Sequence, residues 1–291
     1  MLPMRNPPRF FRGFRPLTRQ HDKPMPLKDT GNSWLQRGLA ALRESDYQTA
    51  LHCFEQAVKE LPEVHAVWYG RGMSLYYAHQ DEAALEAFTR AGQLQPASHL
   101  ACYGRGMTLA EMGREEEALV AFDQAIDLQP HSHLAWLAKG MTLVNLQRWP
   151  EAMEVLNAAL ERHAQTAHVW YGLGAAYLQT ENYEEALKAF EQSTLLQKHF
   201  DLAWYGKGLA LMQTSQFEEA VVAFDAAIEA NPQGTLAWFQ KAEALMTLAR
   251  LDEARVAYDQ VLKCSQPSHP FYTQAQQKLQ ELRVSNTDEQ S

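Results

Sequence analysis

From Gly31 onward, apolar and small residues recur on two length scales. Within each segment they fall at i, i+4 and i+7, which places them on one face of a helix. The whole pattern then returns every 34 residues without insertion, starting at Gly31, His65, His99, His133, Ala167, Asp201 and Thr235. Counting from each start, position 4 is Trp in six copies and Cys102 in the third. Position 8 is glycine from Gly38 to Gly208 and becomes Ala242 in the seventh copy. Position 20 is always alanine, and position 24 is Phe54, Phe88, Phe122, Leu156, Phe190, Phe224 and Tyr258.

One copy therefore reads as two helices joined by a turn. Positions 4, 8 and 11 share a face of the first helix, and positions 20, 24 and 27 share a face of the second. Small residues at 8 and 20 let the backbones approach, while Trp and Phe fill the space beside them. Acidic pairs such as Glu116 and Glu117, or Glu218 and Glu219, open the second helix, where they meet the positive end of its dipole. Pro150 fits the same first turn, which has no amide bond to lose. Pro62, Pro96, Pro130 and Pro232 end the second helix. A single hairpin cannot bury both faces, so the copies must stack on one another.

The period of 34 with these residue types at these offsets resembles the tetratricopeptide repeat family. The resemblance covers residues 31–268 and implies an all-α, right-handed superhelical solenoid of seven repeats: 31–64, 65–98, 99–132, 133–166, 167–200, 201–234 and 235–268. Departures are local: Cys102 replaces a Trp, and Ala164 and Lys198 replace the terminal proline, which predicts softer junctions around the fifth copy. Residues 269–283 (the run FYTQAQQKLQELR and its lead-in) read as an amphipathic capping helix over the last open face. Residues 284–291 are polar and predicted to be a disordered tail.

Composition changes the picture at the N-terminus. Residues 1–30 contain six prolines and seven basic side chains against Asp22 and Asp29, and they predict a disordered, basic tail with the motif RFFRGFR. Met25 is an alternative start, so the first 24 residues need not belong to the mature protein. The whole chain has a net charge of −9, so residues 31–291 are strongly acidic. An acidic solenoid is not a nucleic-acid-binding surface. The tail's expected contacts are weak ones with an acidic partner or an anionic membrane surface. No run of 18 apolar residues is present, and three distant cysteines indicate a reduced, cytoplasmic setting.

No catalytic motif appears, and Gly172-Leu173-Gly174 lacks the third glycine and the strand context of a dinucleotide turn. His65, His99 and His133 hold position 1 of successive copies, with His168 at position 2 of the next. Packed helices lie about 8–10 Å apart, whereas a zinc–nitrogen bond is about 2 Å. Equivalent imidazoles therefore cannot share one ion, and neither a metal nor a cofactor is expected.

The function must then lie in binding. Positions 2, 5, 9 and 12 form a second stripe on the first helix. In the family this face lines a concave groove, so the resemblance implies a site for a partner helix or peptide. The candidate groove residues are Tyr69, Met73, Tyr76, Tyr103, Met107, Met141, Tyr171, Leu178, Tyr205, Met212 and Phe239. Aromatic and methionine side chains give binding area and adaptability. The competing reading is that the stripe only packs between neighbouring helices. Position 6, glycine at 70, 104, 172 and 206, admits two readings: dents between tyrosine ridges that accept a partner's side chains, or tight helix packing. The carboxylate-clamp type of repeat needs Lys at position 5 and Asn at 6 and 9, and this chain has neither. The basic residues at position 7 are expected to snorkel along the packing face. The expected function is a non-enzymatic scaffold or adaptor. The alternatives are an assembly factor for a membrane-associated complex, or a regulatory subunit of an enzyme. The sequence leaves the oligomeric state open.

Overall fold

The computed structural model describes residues 30–162 and 166–288, with side chains up to Leu282. The basic segment 1–29, Ala164 and the last three residues lie outside the described residues. The described residues divide into two compact units, 30–162 and 166–288. The described residues form helices and turns without a strand.

The first unit consists of four hairpins. They are α1 (Gly31–Arg43) with α2 (Tyr47–Glu60), α3 (His65–Tyr77) with α4 (Asp81–Leu94), α5 (His99–Glu111) with α6 (Glu115–Leu128), and α7 (His133–Asn145) with α8 (Trp149–Glu161). The second holds α9 (Ala167–Gln179) with α10 (Tyr183–Leu196), α11 (Asp201–Gln213) with α12 (Phe217–Ala230), and α13 (Thr235–Thr247) with α14 (Leu251–Cys264). A final helix, α15 (Pro270–Asp288), lies against α13 and α14. Its helical backbone continues five residues past the expected end at Arg283, through the segment read as a tail. Within each unit every first helix packs on its own second helix, and α3, α5, α7, α11 and α13 also pack on the second helix of the preceding hairpin.

The turn between paired helices obeys one rule that the sequence conceals. Position 15 is left-handed in every copy: Ser45, His79, Gln147, Glu181, Ser215 and Ala249 have φ between 58° and 62°, and Gly113 has φ 73°. The next amide reaches back to the carbonyl of position 11, as from Asp46 to Ala41, Arg114 to Leu109 and Arg250 to Leu245, each at 2.9 Å. This bond closes the first helix and turns the chain into the second. A left-handed conformation costs an L-residue about 1–2 kcal/mol. Glycine escapes that cost but loses about 0.4–1 kcal/mol through its freer unfolded chain. Ala249→Gly is therefore expected to stabilise the second unit by roughly 0.5–1 kcal/mol, and Gly113→Ala to destabilise the first by a similar amount. Urea unfolding of the two variants should show midpoints moving in opposite directions.

Outside the third hairpin, where Cys102 stands instead, position 4 is a tryptophan, and in four hairpins it is an outer anchor. Its indole N–H donates to a backbone carbonyl six residues earlier: Trp68 to Pro62 (2.7 Å), Trp136 to Pro130 (2.9 Å), Trp204 to Lys198 (2.7 Å) and Trp238 to Pro232 (3.0 Å). Lys198 thus serves as acceptor as well as proline does, because the bond uses only the main chain. At position 7, Arg37, Arg71, Lys207 and Lys241 sit over the tryptophan of their own helix, Arg37 at 5.0 Å from Trp34 and Lys207 at 5.5 Å from Trp204. Position-7 lysines also pair with the preceding hairpin, Lys139 with Asp123 at 2.6 Å and Lys241 with Asp225 at 2.5 Å. Their role is to staple neighbours, as the snorkelling reading expects.

Candidate functional site

The first-helix stripe is where a partner would have to bind, and the position-24 ring decides how much of it is free. Phe88 is almost wholly buried, between α3 and α5. A β-carbon placed on Gly72 of its own hairpin would stand 2.8 Å from the ring, and one on Gly104 of the next would stand 2.5 Å away. The same arrangement recurs around Phe54 with Gly38 and Gly70, and around Phe190 with Gly174 and Gly206. Glycine at position 6, in Gly70, Gly104 and Gly206, is thus the seat of the preceding hairpin's phenylalanine. The dent is filled from within the chain, so the reading of it as a pocket for a partner is replaced by tight helix packing. Gln36 holds position 6 in α1, the first helix among the described residues, and its side chain is exposed.

Position 5 meets the same ring from the other side. Tyr69 packs on Phe88, Tyr103 on Phe122, Tyr171 on Phe190, Tyr205 on Phe224 and Phe239 on Tyr258, with ring centroids 5.8–6.1 Å apart. Burial follows. Tyr76, Met107, Met141, Tyr103, Leu178, Tyr205 and Phe239 are buried, between 0% and 9% exposed. Tyr69, Met73, Tyr171 and Met212 remain half-buried. The expected open stripe is corrected accordingly. Seven of its eleven residues belong to the packing layer: Tyr103, Tyr205 and Phe239 at position 5 pack on the position-24 ring of their own second helix, and Tyr76, Met107, Met141 and Leu178 are buried at positions 9 and 12. Burial pushes the Tyr69 phenol up to about 12 and raises Tyr103, Tyr171 and Tyr205 as well, so these hydroxyls stay protonated and act only as hydrogen-bonding groups.

The accessible apolar positions lie one helical turn earlier, at position 2, on the same face as position 5. In the first unit Leu100 is 40% exposed and Leu134 is half-buried, and in the second Leu202 and Leu236 are half-buried. In the first unit these positions join Tyr69 and Met73 on an uncharged strip, and in the second they share the stripe with Tyr171, Met212 and Glu243. Sequence reasoning included position 2 in the stripe but named no residue there. The recurrence of leucine at 100, 134, 202 and 236 was the available signal.

Two local devices border the strip. His65 shares a 2.8 Å hydrogen bond with the Ser98 hydroxyl, which also accepts from the Ala101 amide and so caps α5. His168 lies against Phe200, centroids 4.8 Å apart, and burial lowers its pKa, so it is held neutral. The imidazoles therefore have neighbours that are hydroxyl or aromatic. No group of three metal-ligating side chains occurs among the described residues. In the last hairpin Tyr258 replaces phenylalanine, and its hydroxyl donates to Glu243, which stands at position 9 where other copies have Leu, Met or Ala. The extra hydroxyl and the extra carboxylate satisfy one another.

Known proteins agree with this architecture. The sequence profile described as "Tetratricopeptide repeat" matches residues 35–99, 74–133, 103–165, 137–195 and 205–270. By sequence, no curated protein matches the chain. Among solved structures, the anaphase-promoting complex hetero-tetramer Cut9-Hcn1 aligns with TM-score 0.68 and 17% identity over 87% of this chain. The chain spans only 54% of that protein. A tetratricopeptide repeat protein from Parabacteroides merdae aligns with TM-score 0.64 and 13% identity, over 87% of this chain and 98% of its own. YrrB, described as a repeat protein with an unusual peptide-binding site, aligns with TM-score 0.54 and 22% identity, over 66% of this chain and 99% of its own. At these identities the structures show the shared fold. The profile spans well over half of the sequence, so the chain belongs to the tetratricopeptide repeat family.

Proposed function

We propose that the protein is a non-enzymatic scaffold that holds an apolar helix or peptide of a protein partner on its first-helix strip. The observation behind this reading is the strip itself: Tyr69, Met73 and Leu100 are apolar or aromatic, partly exposed, and uncharged. Contiguous partly exposed apolar surface marks interaction sites in soluble proteins. Side chains already seated by packing lose little entropy on binding. Without lysine or asparagine at the clamp positions, the partner is recognised by apolar side chains and not by a terminal carboxylate. The peptide-binding site ascribed to YrrB is consistent with a peptide ligand.

The test is affinity capture from the native cell with the full chain, followed by identification of what binds. Met73→Glu with Leu100→Glu should reduce recovery of the main partner by roughly tenfold or more, equivalent to about 1.4 kcal/mol. Far-ultraviolet circular dichroism should stay unchanged, since both side chains are partly exposed. Undiminished capture by the folded variant would remove the strip from the function.

The basic segment 1–30 favours a second reading, an assembly factor or enzyme-regulatory subunit whose tail engages an acidic or membrane-bound component. Removing residues 1–30 would then alter localisation while partner capture persists. Three free, mutually distant cysteines favour the cytoplasm. No helix among the described residues is long and apolar enough to cross a membrane.

A further inference from the structure

Packing explains the aromatic rings at position 5 but not their hydroxyls, since Leu35, Leu137 and Phe239 hold the same position without one. A buried tyrosine ordinarily finds a partner for its O–H. Tyr76 does so with Glu111 at 3.5 Å, and Tyr258 with Glu243. Tyr103 does not: it is only 8% exposed, yet its hydroxyl has no partner among the described residues. Nor is that oxygen sealed from water, because the buried unpaired side-chain atoms among the described residues are Ser33 Oγ and Asn145 Oδ1. The ring of Tyr103 is therefore covered while its hydroxyl end meets solvent. Tyr69, half-buried on the strip, is in the same condition. Burial raises the pKa of both phenols, and neighbouring phenols raise it further, Tyr77 for Tyr69 and Tyr69 with Tyr77 for Tyr103. The two hydroxyls thus open onto one patch and remain O–H donors at neutral pH. In the second unit Tyr205, also 8% exposed, repeats the arrangement beside Tyr171.

Taking the strip proposed above as the binding face, we propose that it receives a proline-rich segment of the partner in the polyproline II conformation, with the Tyr69 and Tyr103 hydroxyls donating to its main-chain carbonyls. The complementarity is electrostatic. The patch offers neutral donors and no formal charge, so it suits a neutral chain that offers acceptors. A helix spends its carbonyls on its own ladder. Seated here it would strip water from two phenols and return no acceptor, an unfavourable exchange. A β-like segment presents amide donors as well, for which methionine and leucine side chains are poor partners. Proline has no amide N–H, and polyproline II leaves its carbonyls without internal partners. The register fits too. Helices α3 and α5 pack on one another, and packed helices lie about 8–10 Å apart. Three residues of polyproline II, one full turn, advance about 9 Å. Residues i and i+3 of the segment therefore meet Tyr69 and Tyr103 in turn. Met73 and Leu100, each one turn from a tyrosine on its own helix, extend the apolar bed under the prolyl rings.

The experiment is selection of a phage-displayed library of random linear peptides on the full chain, followed by fluorescence anisotropy of the selected sequence, synthesised with blocked ends. Wild type should enrich peptides with prolines spaced three apart. Tyr69→Phe with Tyr103→Phe keeps both rings, so circular dichroism should be unchanged. That variant should bind the selected peptide roughly tenfold more weakly, a loss of about 1.4 kcal/mol. Replacing the two spaced prolines of the peptide by alanine should weaken its binding to wild type to a similar degree. Selection of apolar helical sequences without spaced prolines, bound equally by wild type and the tyrosine variant, overturns the proline-rich ligand and leaves the strip as a helix-binding face. A proline-containing peptide held equally by the two proteins overturns the role given to the hydroxyls. Selected peptides whose binding survives Met73→Glu with Leu100→Glu, or a library that yields none, overturn the strip itself and this ligand with it.

Discussion

Phe88→Ala should destabilise the first unit by about 3–5 kcal/mol, the range for removing a large, fully buried aromatic. The more discriminating result concerns Gly104, whose added β-carbon would stand 2.5 Å from the same ring. In an exposed helix Gly→Ala stabilises by about 1 kcal/mol. Here overpacking costs about 1–3 kcal/mol, so Gly104→Ala in the wild-type background should be net destabilising, by about 1 kcal/mol. In the Phe88→Ala background the β-carbon enters the space left by the ring. The same substitution should then recover about 1 kcal/mol through helix propensity and partial filling. The sign of the Gly104→Ala effect therefore depends on residue 88. A urea-unfolding cycle of the four proteins measures it directly, because coupled neighbours fail additivity. If Gly104→Ala stabilises the wild type, the glycine is not there to seat Phe88. Nature supplies a milder case in Ala138, which stands at position 6 beside the hairpin containing Phe122. One β-carbon is thus tolerable where the two backbones are spaced for it, which is why the expected cost is about 1 kcal/mol and not several.

The hairpins were legible because period 34 and the offsets 4, 8, 20 and 24 are set by packing within one hairpin, which each copy must satisfy. What was not legible were contacts that cross between hairpins or depend on the backbone. Position 15 is left-handed in all seven copies, yet Ser45, His79, Gln147, Glu181, Ser215 and Ala249 share no side-chain chemistry, and Gly113 alone gives a signal. The constraint is on φ and the reach to the position-11 carbonyl, so the residue type is left free at a modest cost. The glycines at position 6 were visible, but for Gly70, Gly104 and Gly206 the cause sits sixteen residues earlier, in the ring of Phe54, Phe88 or Phe190 of the previous hairpin.

The same limit explains the candidate site. A first helix has two covered faces, one against its own second helix and one against the preceding one. Both faces select apolar residues, so periodicity cannot separate a buried stripe from an exposed one. Tyr205 and Tyr171 occupy equivalent positions in sequence, yet Tyr205 is buried and Tyr171 is half-buried. Distinguishing them requires knowing which neighbour covers each, and that is a property of stacked hairpins.

Truncation after Ser268, which removes α15, is the other large effect expected. In that helix Ala275, Leu279 and Leu282 are buried, and Phe271 packs on Phe239 with centroids 4.7 Å apart. Full burial of a large apolar side chain is worth about 1.5–3 kcal/mol. Loss of two leucines and a partly buried phenylalanine should therefore cost the second unit about 5 kcal/mol, with melting lowered on the order of 15 °C. The exposed end would include Phe239, so binding of a hydrophobic dye should rise and solubility should fall. Polar side chains on the open face of a terminal repeat keep a solenoid soluble. Phe239→Gln in the truncated protein should accordingly reduce dye binding without restoring stability, because polarity repairs solubility but not the lost burial. Calorimetry of the two truncated proteins beside the full chain separates these terms. A truncated protein that melts within about 2 °C of the full chain, less than 1 kcal/mol by the same scaling, would mean that α15 rests on the last hairpin without capping it. The hydrogen-bonded pair inside that hairpin gives an internal control. Burial first, then the Glu243 bond and the charge of Glu281 raise the Tyr258 pKa, and removing α15 takes away Glu281 while leaving the Glu243 bond. The tyrosine should then ionise at lower pH in the truncated protein, a spectroscopic shift that reports loss of the cap independently of global melting.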